Sequence, residues 1–246
     1  MKSIIVTGAG SGIGAAICAK FAANGWRVGV LDRDGANAAK VAASLSDAVA
    51  LTADVTDRAS VEAAFAAFGD TPDVLVNNAG IVRFSNLLDE TPENYRKVVD
   101  VNLMGTYTCA WVAAQGMVKR GSGTILNMTS IHAVNPGPNA SAYPVTKAGV
   151  ASMTQHMAIE WGPLGLRINA IAPGFIDAGM SEKVYADPKV RALRGGAVPS
   201  RRLGTADDIA EAAWFLASDA AGYINGHQLV VDGGVAHSVL AQLPRG

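Results

Sequence analysis

The chain has 246 residues, half of them apolar, and a formal net charge of −1, so it is long enough for one large α/β domain or two small ones and carries no electrostatic basis for binding nucleic acid or an anionic membrane. Its two cysteines, Cys18 and Cys109, stand apart in apolar, helix-like patterns, which favours inert thiols in a reducing compartment over a disulfide or a metal site. The opening MKSIIVTGAGSG is too short an apolar run for a secretory signal, and no run of about 18 apolar residues could span a bilayer, so a soluble cytoplasmic protein is expected.

Short β-branched runs alternate with amphipathic stretches. A strand at Ser3–Thr7 precedes a helix over about Gly12–Asn24, and Arg27–Leu31 precedes a helix over about Ala36–Leu45. Ala48–Thr52 is followed by a helix over Asp57–Phe68, with Asp57 as N-cap, and Asp73–Asn77 gives a fourth strand. Thr91-Pro92-Glu93 reads as N-cap, N1 proline and acidic first turn, opening a helical region that runs with a break to about Arg120. Gly123–Met128 is a fifth strand, Ala142–Trp161 a helix and Leu166–Ala172 a sixth strand. Gly174–Ser200 lacks clear periodicity and reads as a long excursion of the functional kind. A capping-box pattern, Thr205-x-x-Asp208, opens a helix to Leu216, and HQLVVD closes the sheet. Strands apolar on both faces and separated by helices predict a doubly wound parallel sheet, Rossmann-type, in one domain over residues 1–246.

TGAGSGIG, Thr7–Gly14, joins the first strand to the first helix, where such a sheet binds a dinucleotide: glycines allow the tight turn and the helix N-terminus faces the pyrophosphate. Its spacing is G-x-x-x-G-x-G, from Gly8, Gly12 and Gly14; a plain glycine-rich turn is the alternative on this segment alone. Asp32 ends the second strand where an acid meets the adenosine ribose, although an Asp there also suits a helix N-cap. Against a 2′-phosphate at ~4 Å, its charge costs about 4 kcal/mol per unit charge at an effective dielectric of ~20, which favours NAD over NADP unless Arg33 turns to the phosphate.

With these motifs in order, the chain resembles the short-chain dehydrogenase/reductase family over essentially its whole length. The resemblance rests on TGAGSGIG, Asp54-Val55 after the third strand, NNAG at Asn77–Gly80, Asn102, the Ser130, Tyr143 and Lys147 set, and Pro173-Gly174 after the sixth strand. It implies that NAD is held by Gly8, Ser11, Gly12, Ile13 and Gly14, by Asp32 and Arg33, by Asp54 and Val55, and by Asn78, Ala79 and Gly80. Tyr143, Lys147, Pro173, Gly174 and Ile176 complete that expected set. The family often carries a threonine shortly after Pro-Gly; Ala178 stands there, which leaves one hydrogen bond of ~1 kcal/mol missing or supplied by Ser181.

Tyr143 and Lys147, four residues apart on one helix, share a face that looks across the carboxyl ends of the strands. A free phenol with a pKa of about 10 is a poor base at neutral pH; an ammonium beside it and the positive charge of oxidised nicotinamide stabilise the phenolate. By the resemblance Tyr143 is the acid/base, Lys147 lowers its pKa and binds the nicotinamide ribose, Ser130 orients the substrate oxygen, and Asn102 holds a water that relays protons. Arg83 and Phe84, His132 and Asn135, and Phe175 and Tyr185 are candidates for lining the substrate pocket, in which no metal is expected. An NAD-dependent dehydrogenase of a small secondary alcohol, polyol, sugar or cyclic alcohol is expected. A 3-oxoacyl-thioester reductase is the alternative, and a non-catalytic NAD-binding sensor is a third reading. The resemblance also implies a homo-oligomer, most often a tetramer, and the tail VAHSVLAQLPRG could reach a neighbouring subunit.

Overall fold

The computed structural model describes residues 1–238. Seven parallel strands, β1 (Ser3–Thr7), β2 (Arg27–Asp32), β3 (Ala48–Thr52), β4 (Val74–Asn77), β5 (Gly123–Met128), β6 (Leu166–Pro173) and β7 (Gln228–Val231), form one sheet. Their order is 3-2-1-4-5-6-7, with registers such as Ile5 opposite Gly29 and Leu75. The order reverses between β1 and β4, so the connections after these two strands leave in opposite directions and open a crevice at the carboxyl rim.

Alternation along β1 sorts the core into two layers, since successive side chains point to opposite faces. Ile4 and Val6 pack under α1 (Gly12–Ala23), α2 (Gly35–Ala43) and α9 (Ala206–Ala217). Ile5 faces α3 (Arg58–Phe68), α5 (Gly105–Arg120) and α6 (Tyr143–Trp161). Phe21, Trp26 and Trp214 meet edge to face at 5.0–5.9 Å and lock α1 against α9. Each large side chain fully buried this way contributes about 2–3 kcal/mol, which holds the rim rigid. Both cysteines are inside these layers; burial raises the Cys18 thiol's pKa far above its ordinary value and pushes Cys109 up to about 12, so neither ionises.

Local signals set the helix starts. Asp57 caps α3 through the Ala59 N–H, Thr91 caps α4 (Pro92–Val99), and the Thr205–Asp208 capping box is reciprocal. The break expected before Arg120 is a π-helical turn, Asp100–Met104, which carries Asn102. The cap of α2 is Asp34, not Asp32: its carboxylate accepts the Ala36 and Asn37 N–H groups. The aperiodic excursion after β6 contains two helices, α7 (Glu182–Tyr185) and α8 (Pro188–Ala197). The second is masked in the hydropathy because it buries no residue of its own. Among the described residues no helix is long and apolar enough to cross a membrane, and no cluster of metal-ligating side chains occurs. Residues 239–246 of the tail expected to reach a neighbour lie outside the described residues.

Candidate active site

A cleft of about 540 Å³, the size of a small-molecule site, lies over the carboxyl rim at the β1–β4 reversal. Gly8 and Gly12 take left-handed backbone, φ 63° and 55°, which L side chains seldom adopt. A Cβ at Gly8 would stand 2.7 Å from Ala79 Cα, and one at Gly12 would stand 2.8 Å from Gly179 Cα. Gly14 does not line the cleft; it packs under the turn, where a Cβ would meet Gly8 O at 2.5 Å. The first turn of α1 has no side-chain cap and no acidic residue, so the amides of its N-terminus face the cleft without a protein anion beside them.

Two braces hold this turn that the sequence reading did not foresee. Thr7 Oγ1 accepts the N–H groups of Asn78 and Ala79 at 3.1 and 3.0 Å, while Asn78 Nδ2 donates to Thr7 O and Gly8 O at 3.0 and 2.9 Å. Asp32 accepts Gly10 N–H on Oδ2 and Asp34 N–H on Oδ1, each at 2.9 Å, so its carboxylate is fixed at the cleft with lone pairs to spare. The signal for these braces was a hydroxyl at the strand end and the second Asn of NNAG, each of which reads equally as an ordinary turn residue. Asp54 lines the same wall. The Thr56 N–H, then the Thr56 hydroxyl, hold its carboxyl below the usual carboxylate range, with a smaller pull from Arg33.

At the other end, Ser130, Tyr143 and Lys147 converge beside Gly80, Pro173, Gly174 and Ile176. Asn139 and Ser141, both in left-handed backbone at φ 56° and 49°, feed the chain into α6, at a cost of ~1 kcal/mol or more each. Lys147 is 4 % exposed and donates from Nζ to Met128 O at 2.7 Å; its Nζ lies 5.5 Å from the Tyr143 ring centroid. Burial lowers the lysine to about 8, so at neutral pH it keeps its proton. For Tyr143, burial pushes the phenol above its ordinary value, and the Ser130 hydroxyl pulls the other way. An ammonium at ~5.5 Å offers a phenolate about 3 kcal/mol at an effective dielectric of ~20, roughly two pKa units against that burial.

Asn102 is fully buried behind Gly80 and does not line the cleft. Its amide is clamped: Oδ1 accepts Ile81 N–H at 2.8 Å, and Nδ2 donates to Ile81 O at 2.9 Å and Thr146 Oγ1 at 3.2 Å. A methyl at Gly80 would sit 3.3 Å from Asn102 Oδ1 and 3.5 Å from Lys147 Nζ, so the two side chains meet at one point.

The expected substrate residues divide. Arg83 and Phe84 line a separate cavity, where Arg83 is 4.0 Å from Glu90, and are not part of the cleft. Asn135 is exposed and donates to Ala236 O. His132 and Phe175 adjoin the cleft without lining it. His132 packs edge to face on Tyr143 at 5.9 Å, and its Nδ1 accepts Gly137 N–H at 3.2 Å, which leaves the ring proton on Nε2. Burial, and then Arg194, lower its pKa, so it is neutral near pH 7. Tyr185 is buried beneath Arg194. Ala178 and Ser181 both line the cleft.

The turn fits a dinucleotide on its own geometry, because Gly8 and Gly12 line the cleft in left-handed backbone beside the uncapped N-terminus of α1, whose amides suit a pyrophosphate. Comparisons with known proteins agree. Residues 8–236 match the family model described as enoyl-(acyl carrier protein) reductase. The chain is 41% identical over 235 residues to the galactitol 2-dehydrogenase (L-tagatose-forming) of Cereibacter sphaeroides, covering 93% of this chain and 92% of that protein. It is also 41% identical over 248 residues to the L-rhamnose 1-dehydrogenase (NAD(P)(+)) of Azotobacter vinelandii, covering 95% and 96%. The crystal structure of a 3-ketoacyl-(acyl-carrier-protein) reductase from Brucella melitensis complexed with NADH superposes with a TM-score of 0.88 at 37% identity, covering 96% of this chain and 98% of that one. The chain belongs to the short-chain dehydrogenase/reductase family, as an oxidoreductase of CH–OH groups that uses a nicotinamide cofactor.

Proposed function

We propose that the protein is an NAD-preferring dehydrogenase of small polyols or sugars, with Tyr143 as its acid/base. The observation that carries this reading is the convergence of Ser130, Tyr143 and a buried, protonated Lys147 at one end of a cleft whose other end carries Asp32. The nicotinamide, when bound, supplies hydride acceptance at carbon and a positive charge near the phenol. Everything else falls to the chain. The first-turn amides of α1 with Ser11, Gly12 and Ile13 take the pyrophosphate, Asp32 takes the adenosine ribose hydroxyls, and Asp54, Val55 and Arg33 form the adenine wall. Asn78, Ala79 and Gly80 line the floor, and Pro173, Gly174 and Ile176 close over the nicotinamide. Ser130 hydrogen-bonds the substrate oxygen and holds it toward Tyr143, whose phenolate removes the hydroxyl proton as the hydride leaves. Lys147 stabilises that phenolate and holds the nicotinamide ribose. The clamped Asn102 keeps a proton path open behind it, with its main-chain carbonyl, also bonded by Thr106 Oγ1 at 2.8 Å, as the anchor.

Asp32 supports NAD because its fixed carboxylate repels a 2′-phosphate, while the exposed Arg33 already acts on Asp54. The relatives' names, galactitol and L-rhamnose dehydrogenases, support the substrate class. The protein is further read as one catalytic domain working in the cytoplasm as a homotetramer. Met104, Tyr107 and Ile159, 42–73% exposed, are apolar surface of the kind such an assembly covers.

The test follows reduced-nicotinamide absorbance with galactitol, L-rhamnose and D-threitol against 3-oxoacyl thioesters, with NAD and NADP in parallel. Turnover of at least one polyol or sugar with NAD preferred is expected. Reduction of the thioesters alone would replace this reading by the acyl-reductase one.

A further inference from the structure

Two of the arginines in and beside the excursion find carboxylates, whereas Arg201 donates to Gly196 O and Arg194 lies against aromatic rings. Arg191 pairs with Asp177 at 2.5 Å, and Arg202 pairs with Asp208 at 2.7 Å. Arg194, in the last turn of α8, has no carboxylate within ion-pair distance among the described residues. Its guanidinium lies over the Phe175 ring at 5.1 Å and the Tyr185 ring at 5.7 Å, and Nη1 reaches Tyr185 Oη at 3.4 Å.

Two aromatic faces fix the plane of a guanidinium without using its N–H groups, so the side chain is ordered in advance while most of its five donors stay available. The location matters. Phe175 continues directly from Pro173 and Gly174, which line the cleft, and His132, within the field of Arg194, packs on the catalytic tyrosine's ring at 5.9 Å. Arg194 does not itself line the cleft; a substrate whose hydroxyl met Tyr143 and Ser130 and whose chain extended past the neutral His132 would run toward it beneath the excursion.

We propose that Arg194 is a substrate-binding residue that receives an anionic oxygen group, a carboxylate or a phosphate, at the far end of a polyhydroxylated substrate. This deepens the reading of Tyr143 as acid/base and rests on it. The two aromatics make the site selective for charge: in place of an acidic protein partner that would compete with a substrate anion, the guanidinium has only π faces and one phenol. His132, neutral and with its proton on Nε2, donates to a hydroxyl along the same chain.

The experiment compares matched pairs at fixed NAD: D-glucitol with D-gluconate and with D-glucitol 6-phosphate, and galactitol with D-galactonate. In the native enzyme, kcat/KM for at least one anionic member is expected to exceed that of its neutral partner about tenfold or more. In Arg194→Gln that advantage falls about 10- to 100-fold, chiefly through KM, with neutral substrates changed less than about threefold. Arg194→Lys restores part of it. Which anion is preferred, carboxylate or phosphate, identifies the ligand group. A native enzyme that prefers the neutral members, or an Arg194→Gln variant that loses neutral and anionic turnover alike, overturns the proposal and leaves Arg194 as packing for Tyr185. Calorimetric binding of D-gluconate to the NAD-saturated protein separates this from the underlying reading. Arg194-dependent binding without turnover of any alcohol would sink the dehydrogenase assignment and leave the anion site standing. Turnover of polyols without Arg194-dependent binding would do the reverse.

Discussion

The two walls of the cleft are built differently. On the β1–β4 side the contacts are between backbones: a Cβ at Gly8 would strike Ala79 Cα at 2.7 Å, and Asn78 and Thr7 bond main-chain groups of each other's loops. On the excursion side, from Gly174 to Gly204, main-chain bonds between Phe175, Asp177 and Gly204 tie the ends, and between them side chains hold side chains: Arg191 to Asp177, Arg194 over Phe175 and Tyr185, and a helix α8 with no buried residue. A backbone cradle tolerates one ligand shape, whereas side chains on a lightly packed helix can be exchanged without unfolding the sheet. On the proposed reading, the pyrophosphate is met by the main chain, and the substrate by the part of the molecule easiest to vary.

If that division holds, removing the chemical group should cost most and leave the cradle untouched. Tyr143→Phe is expected to lower kcat about 10³-fold or more, with the NAD dissociation constant, read by fluorescence, changed less than about threefold. Activity that survives would remove Tyr143 from the mechanism.

Next in size is the burial of Lys147, which the rigid wall imposes. Its folded-state value of about 8 lies below the 10.5 of an unfolded chain. Between those values the unfolded state binds more protons, so stability contributed by this group rises as pH climbs from 8 to 10.5, by on the order of 3 kcal/mol. Below pH 8 the full cost of the buried ammonium is present. Tyr143, raised by burial, works in the opposite sense above pH ~10, where the unfolded phenol ionises first. Urea titrations of the native protein and Lys147→Met across this range, both in a Tyr143→Phe background, isolate the lysine. A native-minus-variant difference that falls with pH would reverse the assignment.

Gly12→Ala probes the place where the walls touch. Its strain at φ 55° and its clash with Gly179, 2.8 Å away, act together, and the excursion must shift to admit the methyl. NAD affinity should drop about tenfold and the melting temperature by several degrees. Gly25→Ala is the control, since φ is 76° there with nothing within 4 Å, and only the strain of ~1 kcal/mol remains. Equal effects at the two positions would mean that the walls are independent. A smaller change is expected from Asp32→Asn, which removes the charge and one of two backbone acceptors. The NADP/NAD ratio of kcat/KM should rise about tenfold.

The same division explains what could be read from the chain. The succession of strands and helices, the cap at Asp57, a break before Arg120 and the pairing of Tyr143 with Lys147 all follow from short-range pattern: period, caps and an i, i+4 spacing. Asp32 and Asp34 could not be separated, because both suit a cap and only the bond geometry assigns the helix to Asp34. Arg83 was misplaced because residues 81–91 run without helix or strand, leaving the cleft after Ile81, and a position after NNAG does not say which cavity a loop enters. Arg194 was missed altogether. Its partners, Phe175 and Tyr185, are 19 and 9 residues back in sequence, and α8 buries no residue that would announce which side meets the site.

The smallest effect falls on the boundary between the walls. Ala178 lines the cleft in extended backbone, φ −162° and ψ 155°, a conformation in which a β-branched residue is at ease. Ala178→Thr should therefore fold normally and add one hydrogen-bonding hydroxyl at the nicotinamide end. One neutral hydrogen bond contributes ~1 kcal/mol, so NAD affinity should rise about two- to fivefold. Ser181, three residues on and lining the same cleft, decides how that number is read. If Ser181 already supplies the hydroxyl, Ala178→Thr gives no gain in the native background, Ser181→Ala loses a similar factor, and the double variant recovers it. If Ser181 is a bystander, Ala178→Thr gains alone and Ser181→Ala is silent. A threonine that weakens binding in both backgrounds would show that this wall is as closely fitted as the glycine turn, and the contrast between backbone and side-chain recognition would fail at its boundary.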